Sequence, residues 1–178
     1  EIYKNIDPEN SIVTHDAGAP RDCMVPFYNA TLPNSYIGWG KTTHLGFGIP
    51  LMIGAKIAHP DKFCLNLMGD GAFGMSGLDL ETSVRAELPI TTVLLNNGAM
   101  STYEGTSLIG PVSKKEYGVS FLKGDYAKIA KGLGAEGIRV EKPNELEMAL
   151  KNAQQLNKDG KTVLIDVISN VESRRSKF

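Results

Sequence analysis

The sequence lacks several features that would place it in a specialised class of protein. It has only two cysteines, Cys23 and Cys64, too few for a disulfide framework. Its formal net charge of −1 gives no sign of a surface for nucleic acid or lipid. No apolar run reaches the roughly 18 residues that suggest a membrane-spanning helix, and no signal-peptide pattern opens the chain. We therefore expect a cytoplasmic protein.

Instead, the sequence has a regular alternation of apolar strands and helices. With 178 residues it is long enough for a full core, and we expect residues 1–178 to form a single domain. The alternation predicts an α/β fold, a doubly wound parallel sheet of about six strands with helices on both faces. The segment 98–124 has no clear period and is expected to be a lid, a binding loop or a disordered stretch.

The bounds of the predicted strands and helices follow from the apolar runs and from the glycine and proline residues that end them. The predicted strands are Ser11–His15, Tyr36–Gly40, Phe63–Met68, Ile90–Leu95, Gly137–Val140 and Thr162–Ile168. The predicted helices are Leu45–Ala58, Gly77–Glu87, Asp125–Leu133 and Pro143–Asn157.

Two polar groups follow neighbouring strands of this predicted sheet at a fixed spacing. Gly69-Asp70-Gly71 follows the third strand, and Asn96-Asn97 comes after a further 24 residues, at the end of the fourth. Ligands bind at the carboxyl edge of open parallel sheets, and oxygen ligands from Asp and Asn suit Mg²⁺, which also takes phosphate oxygens. The spacing predicts that Asp70 and Asn97 hold a metal-bridged diphosphate, although each group alone is more often a helix cap or turn.

The pattern GDG-x24-NN resembles the cofactor signature of thiamine diphosphate (ThDP) enzymes. The surrounding text, GDGAFGMSGLDLETSVRAELPITTVLLNNGAM, is similar to the acetolactate synthase and pyruvate oxidase branch. The likeness is strong over residues 39–99 and covers that family's pyrophosphate-binding domain. It implies ThDP and Mg²⁺ as cofactors, a 2-oxo acid as substrate, and decarboxylation or carboligation as the reaction. It also implies that the backbone carbonyl of Ala99 is the third protein ligand of the metal.

The resemblance further implies contacts with the cofactor. The N–H groups of Gly71 and Ala72 are expected to bind the diphosphate, the Thr43 carbonyl the 4′-amino group, and Leu45 to separate the two rings. His44 is able to transfer protons near neutral pH; the roles of His15 and Glu104 stay open. The expected cofactor contacts are Asp16, Gly18, Thr43, Leu45, Gly69, Asp70, Gly71, Ala72, Asn97, Ala99 and Met100, with His44 and Leu45 as catalytic candidates and Asp70, Asn97 and Ala99 as metal ligands.

A dinucleotide-binding oxidoreductase domain is the competing hypothesis, because Gly69 to Gly74 also fits G-x-G-x-x-G between a strand and a helix. Against it, the next strand ends in Asn96-Asn97 rather than in an acid for the ribose hydroxyls. Asp70 would also repel a pyrophosphate that carries no cation. A non-catalytic assembly subunit with the ThDP fold is a further alternative, which the intact Asp70 and Asn97 disfavour.

No segment resembles the pyrimidine-binding domain, which in this family supplies the catalytic glutamate, usually from a neighbouring subunit. We therefore expect the chain to work in a homo- or hetero-oligomer and to be inactive alone. Two origins are consistent with the sequence. The chain is either the carboxy-terminal part of an acetolactate synthase-like enzyme, or a natural small (beta) subunit of a two-subunit decarboxylase resembling sulfopyruvate decarboxylase.

Overall fold

The computed structural model describes residues 1–38, 42, 44–100, 115–118 and 121–171. Within these residues the sheet has six strands: β1 (Ser11–His15), β2 (Tyr36–Ile37), β3 (Phe63–Gly69), β4 (Thr91–Asn96), β5 (Glu136–Val140) and β6 (Val163–Ile168). The strands all run parallel, in the order β2-β1-β3-β4-β6-β5. The helices are α1 (Ile2–Asn5), α2 (Ala19–Met24), α3 (Gly48–Ala58), α4 (Asp70–Ser76), α5 (Asp79–Arg85), α6 (Tyr126–Gly132) and α7 (Leu146–Lys158), with a 3₁₀ turn at Pro143–Glu145.

The sheet is buried between two hydrophobic layers. Successive strand residues point to opposite faces, and the strands carry apolar residues on both faces. Cys64 and Met68 of β3 pack with α3, α4, α5 and α6 on one face. Leu65 and Leu67 pack with α2 and α7 on the other. This arrangement confirms the predicted doubly wound α/β fold. None of the helices in the described part of the chain is long and apolar enough to cross a membrane.

The strand order reverses direction between β1 and β3, and this reversal creates a crevice. From β1 the chain moves outward to β2, and it then crosses back so that β3 pairs with the opposite side of β1. The loops after β1 and β3 consequently leave the sheet in opposite directions. Such a switch point is the usual ligand site of open α/β sheets.

The helix after β3 differs from the predicted one. Helical structure begins at Asp70, directly after the strand, and not at Gly77. The predicted helix is also split, because α4 ends at Ser76 and α5 starts at Asp79. At the break, a Cβ on Gly77 would lie 2.7 Å from the carbonyl oxygen of Phe73, so the close turn requires glycine.

The two cysteines differ in their surroundings. Cys64 is buried, and burial raises the pKa of its thiol to about 11. Cys23 is exposed and lies in α2.

Candidate functional site

A cleft of about 80 Å³ opens at the carboxyl edge of the sheet, at the switch point between β1 and β3. Nine of the residues predicted to bind the cofactor line it: Gly18, Leu45, Gly69, Asp70, Gly71, Ala72, Asn97, Ala99 and Met100. These residues come from four separate stretches of the chain. These residues are distant in sequence and are grouped there only by a motif and a family resemblance. The fold brings them together in one cleft.

Asp70 is the first residue of α4 and is only 3% exposed. One of its carboxylate oxygens accepts a hydrogen bond from the backbone N–H of Gly71 at 2.8 Å. The other accepts from the backbone N–H of Gly98, also at 2.8 Å. A carboxylate offers about four lone-pair sites, so its oxygens are able to accept hydrogen bonds and also bind a metal ion. The second bond also ties the end of β3 to the loop that follows β4.

Asn97 follows β4 and is half-buried in the cleft wall. Its side-chain oxygen accepts a hydrogen bond from the backbone N–H of Ala99 at 2.9 Å. This short turn places Ala99 beside the Asn97 carboxamide. The two residues named with Asp70 as metal ligands are therefore neighbours in space as well as in sequence.

Asp16 lies behind the cleft and is fully buried. One carboxylate oxygen accepts from the N–H groups of Ala17 at 2.8 Å and Gly46 at 3.0 Å, and the other accepts from Gly48 at 3.0 Å. These bonds fasten the end of β1 to the turn that carries Leu45. In the structure, Asp16 thus supports the cleft wall, while its predicted contact with the cofactor stays a prediction.

The histidines near the cleft have different environments. His44 is exposed and is not among the residues that line the cleft. His15 is 4% exposed, and burial is the main cause that lowers its pKa, so the ring is neutral at neutral pH. Its Nδ1 lies 3.1 Å from the Asp16 carbonyl oxygen. Thr43 and Glu104 lie outside the described residues.

The donor set fits a divalent metal that is bound together with phosphate. Asp70 and Asn97 supply a carboxylate and a carboxamide oxygen, and all the proposed protein ligands are oxygens. Across the described ranges, no group of three or more His, Cys, Asp or Glu could hold a metal. A metal here would consequently need further oxygens from a ligand and water, which is how Mg²⁺ is usually held.

Several residues at the cleft were not predicted from the sequence. The loop after β1 contributes Ala17, the start of α2 contributes Ala19 and Pro20, and β4 contributes Leu95. The signal for the first three is topological, because the switch point places this loop opposite the GDG turn. No sequence feature predicts that Leu95 lines the cleft, because an apolar residue at the end of a strand is expected to belong to the hydrophobic core.

Comparison with known proteins agrees with this geometry. The family model described as "Thiamine pyrophosphate enzyme, C-terminal TPP binding domain" matches residues 16–167, which is most of the chain.

The chain belongs to this family of thiamine pyrophosphate enzymes. A probable acetolactate synthase large subunit of Methanococcus aeolicus is 32% identical over 147 residues, covering 82% of this chain and 24% of the relative. The human 2-hydroxyacyl-CoA lyase 2 is 31% identical over 173 residues, covering 94% of this chain and 27% of the relative. The chain thus spans about a quarter of the length of these relatives.

A solved structure shares the fold. The thiamine diphosphate-dependent 4-hydroxybenzoylformate decarboxylase of Rhodococcus jostii RHA1 superimposes with a TM-score of 0.80 at 23% sequence identity. The match covers 97% of this chain and 32% of that protein. The sheet and its helices therefore share the fold of about a third of that protein.

Proposed function

We propose that this chain binds Mg²⁺–ThDP as the pyrophosphate-binding part of an acetolactate synthase-like enzyme acting on 2-oxo acids, by decarboxylation or carboligation. The observation that carries the proposal is the single cleft at the switch point. It combines the residues of the GDG turn with Asn97 and Ala99 from the neighbouring strand. Family membership supports the cofactor, and the oxygen-only donor set supports the metal.

In this proposal the protein binds and orients, and ThDP supplies the carbon nucleophile for the substrate carbonyl. Asp70, Asn97 and the Ala99 carbonyl hold Mg²⁺, and the N–H groups at the start of α4 face the diphosphate. The Gly71 N–H donates to Asp70 in the structure, so Asp70 is positioned by the same turn that would bind phosphate. Leu45, which also lines the cleft, would contact the cofactor between its two rings.

The chain would need a partner for catalysis. A cleft of about 80 Å³ is well below the roughly 300–1,000 Å³ of pockets that enclose a whole ligand of this size. The described part of the chain therefore encloses one end of the cofactor. We infer that a pyrimidine-binding domain or subunit covers the other end and supplies the catalytic glutamate. Both origins considered above, a longer chain and a separate small subunit, satisfy this requirement.

The test is calorimetric titration of ThDP into the complete native protein with Mg²⁺ and again with EDTA. We expect binding that EDTA abolishes. Asp70→Asn and Asn97→Ala should each weaken binding at least 100-fold, about 2.7 kcal/mol, because each removes an oxygen ligand or its charge. Asp79→Asn is the matched control, since this acid lies in the first turn of α5 and does not line the cleft.

Two outcomes would contradict the proposal. Unchanged ThDP affinity in Asp70→Asn and Asn97→Ala would remove these residues from the site. Binding of NAD in place of ThDP under the same conditions would favour a dinucleotide-binding domain. The match of Gly69 to Gly74 to G-x-G-x-x-G is the basis of that competing hypothesis.

A further inference from the structure

Asp166 is a buried carboxylate inside an otherwise apolar strand. It is the fourth residue of β6, between Ile165 and Val167, and its side chain has no exposed surface. It does not line the cleft. Because a buried carboxylate is costly unless it is well compensated, the groups that contact it indicate why the strand accommodates it.

Each oxygen of Asp166 contacts a different end of one long segment. One oxygen accepts from the side-chain amide of Asn96 at 2.9 Å. The other accepts from the backbone N–H groups of Tyr126 at 3.1 Å and Ala127 at 3.4 Å, at the start of α6. The Arg139 guanidinium lies 3.6 Å from this second oxygen. Asp166 thus connects the end of β4 with the start of α6.

Asn96 completes the connection. The same side-chain amide that donates to Asp166 also donates to the carbonyl oxygen of Gly124 at 3.2 Å. Both ends of the segment between Asn96 and Gly124 are therefore held by hydrogen bonds of the same Asn96 side chain, which is in turn bonded to Asp166. Its first residues are Asn97 and Gly98, which line or directly support the cleft.

We propose that Asp166 is a positioning residue that acts through Asn96 to hold Asn97 and Gly98 in place for the metal and diphosphate. The ligand in this proposal is the Mg²⁺–ThDP of the proposed function, on which the inference rests. The Asp166–Asn96–Gly124 contacts explain how Asp166 would act on the site. Asp166 touches neither cofactor nor substrate. It fixes the end of β4, so that the Asn97 carboxamide and the hydrogen bond from Gly98 to Asp70 are in place before the ligand binds.

The first test is Asp166→Asn in the complete native protein. A carboxamide has one acceptor and one donor end, so it is unable to accept from both Asn96 and the α6 amides. We expect at least tenfold weaker ThDP binding with Mg²⁺. We also expect at least tenfold faster amide hydrogen exchange in residues 97–100 as well as in 126–127, measured without cofactor. Asn96→Ala should accelerate residues 97–100 while leaving 126–127 protected.

A double-mutant cycle then separates positioning from general destabilisation. Because both residues act through one link, Asn96→Ala combined with Asp166→Asn should weaken binding no more than the more damaging single change. Asn157→Asp is the matched control. This buried side chain forms similar hydrogen bonds with Thr91 and Ile90, but at the opposite edge of the sheet. It should leave exchange in residues 97–100 and ThDP affinity unchanged.

The outcomes are distinguishable. Unchanged exchange in residues 97–100 of both Asp166→Asn and Asn96→Ala would reduce Asp166 to a cap of α6 and overturn the proposal. Additive losses in the double variant, or an equal loss of binding in Asn157→Asp, would also overturn it. If the unmodified protein fails to bind ThDP, the proposed function fails, while the exchange experiment still decides whether Asp166 positions Asn97. Should Asp166→Asn not fold, Asn96→Ala decides the same question.

Discussion

At the residue scale, Gly48 shows how closely this fold packs a polar group against a helix. A Cβ on Gly48 would lie 2.6 Å from Cγ of Asn66, a fully buried side chain of β3. The amide and the carbonyl oxygen of Asn66 have no hydrogen-bond partner among the described residues. The first turn of α3 thus approaches the sheet through a position where only hydrogen fits.

Gly48→Ala should therefore destabilise the protein, although alanine is the better helix former. The gain in helix propensity is about 1 kcal/mol, while overpacking against a buried side chain costs about 1–3 kcal/mol. We expect a net loss of up to about 2 kcal/mol in the free energy of unfolding, measured by urea denaturation. Gly54→Ala in the same helix meets no atom within 4 Å and should stabilise by about 0.5–1 kcal/mol. Equal effects of the two substitutions would argue against the steric explanation.

At the element scale, the sequence predicts the strands well and the connections poorly. Continuous apolar runs, such as Phe63 to Met68, locate buried parallel strands because no other short element is apolar on both faces. The predicted bounds of β1 agree with the structure, and those of β3 differ by one residue. The helix after β3 was misjudged because a glycine-rich stretch reads as a turn, whereas here it forms α4 directly behind the strand.

For the site too, the sequence predicts some features well and others poorly. Sheet geometry makes Asp70 and Asn97 neighbours once both are assigned to strand ends, so their proximity was predictable. The bonds of Asp16 to Gly46 and Gly48 span 30 and 32 residues, and no local pattern encodes them. The links of Asp166 depend likewise on β6 pairing with β4, a tertiary fact that the sequence does not display.

Asp16 joins two elements, and its removal should loosen both. In Asp16→Asn one acceptor becomes a donor that faces a backbone N–H of Gly46 or Gly48. Hydrogen bonds to a charged group contribute about 1.5–3 kcal/mol each, and an unsatisfied buried group costs a similar amount. We expect a loss of about 2–4 kcal/mol in urea denaturation.

Asp159→Asn is the control for this change. Asp159 is exposed and accepts one bond from the side chain of Gln155, so its substitution should change stability by less than about 0.5 kcal/mol. If Asp16→Asn proved equally mild, the carboxylate would not be what fixes the turn before α3. The turn would then depend on packing alone.

At the scale of the whole molecule, the fold and the site make different demands. The two hydrophobic layers enclose the sheet within this chain, so the domain has a core of its own. The cleft, in contrast, is open at the carboxyl edge and small relative to a complete cofactor. The chain thus encloses its own core, whereas the proposed binding of ThDP would need a second surface to enclose the whole cofactor.

This difference predicts how the melting temperature responds to the cofactor. A ligand at 100 times its dissociation constant stabilises the folded state by about 2.7 kcal/mol, which shifts the melting temperature of a domain this size by about 5–10 °C. We expect such a shift for the assembled protein with Mg²⁺ and ThDP, and less than about 2 °C for the chain expressed alone at the same concentrations. EDTA should cancel the shift of the assembled protein, because without the metal the diphosphate meets the uncompensated charge of Asp70. A full, EDTA-sensitive shift in the chain alone would mean that its own residues enclose the cofactor. The need for a pyrimidine-binding partner would then be confined to catalysis and would not extend to binding.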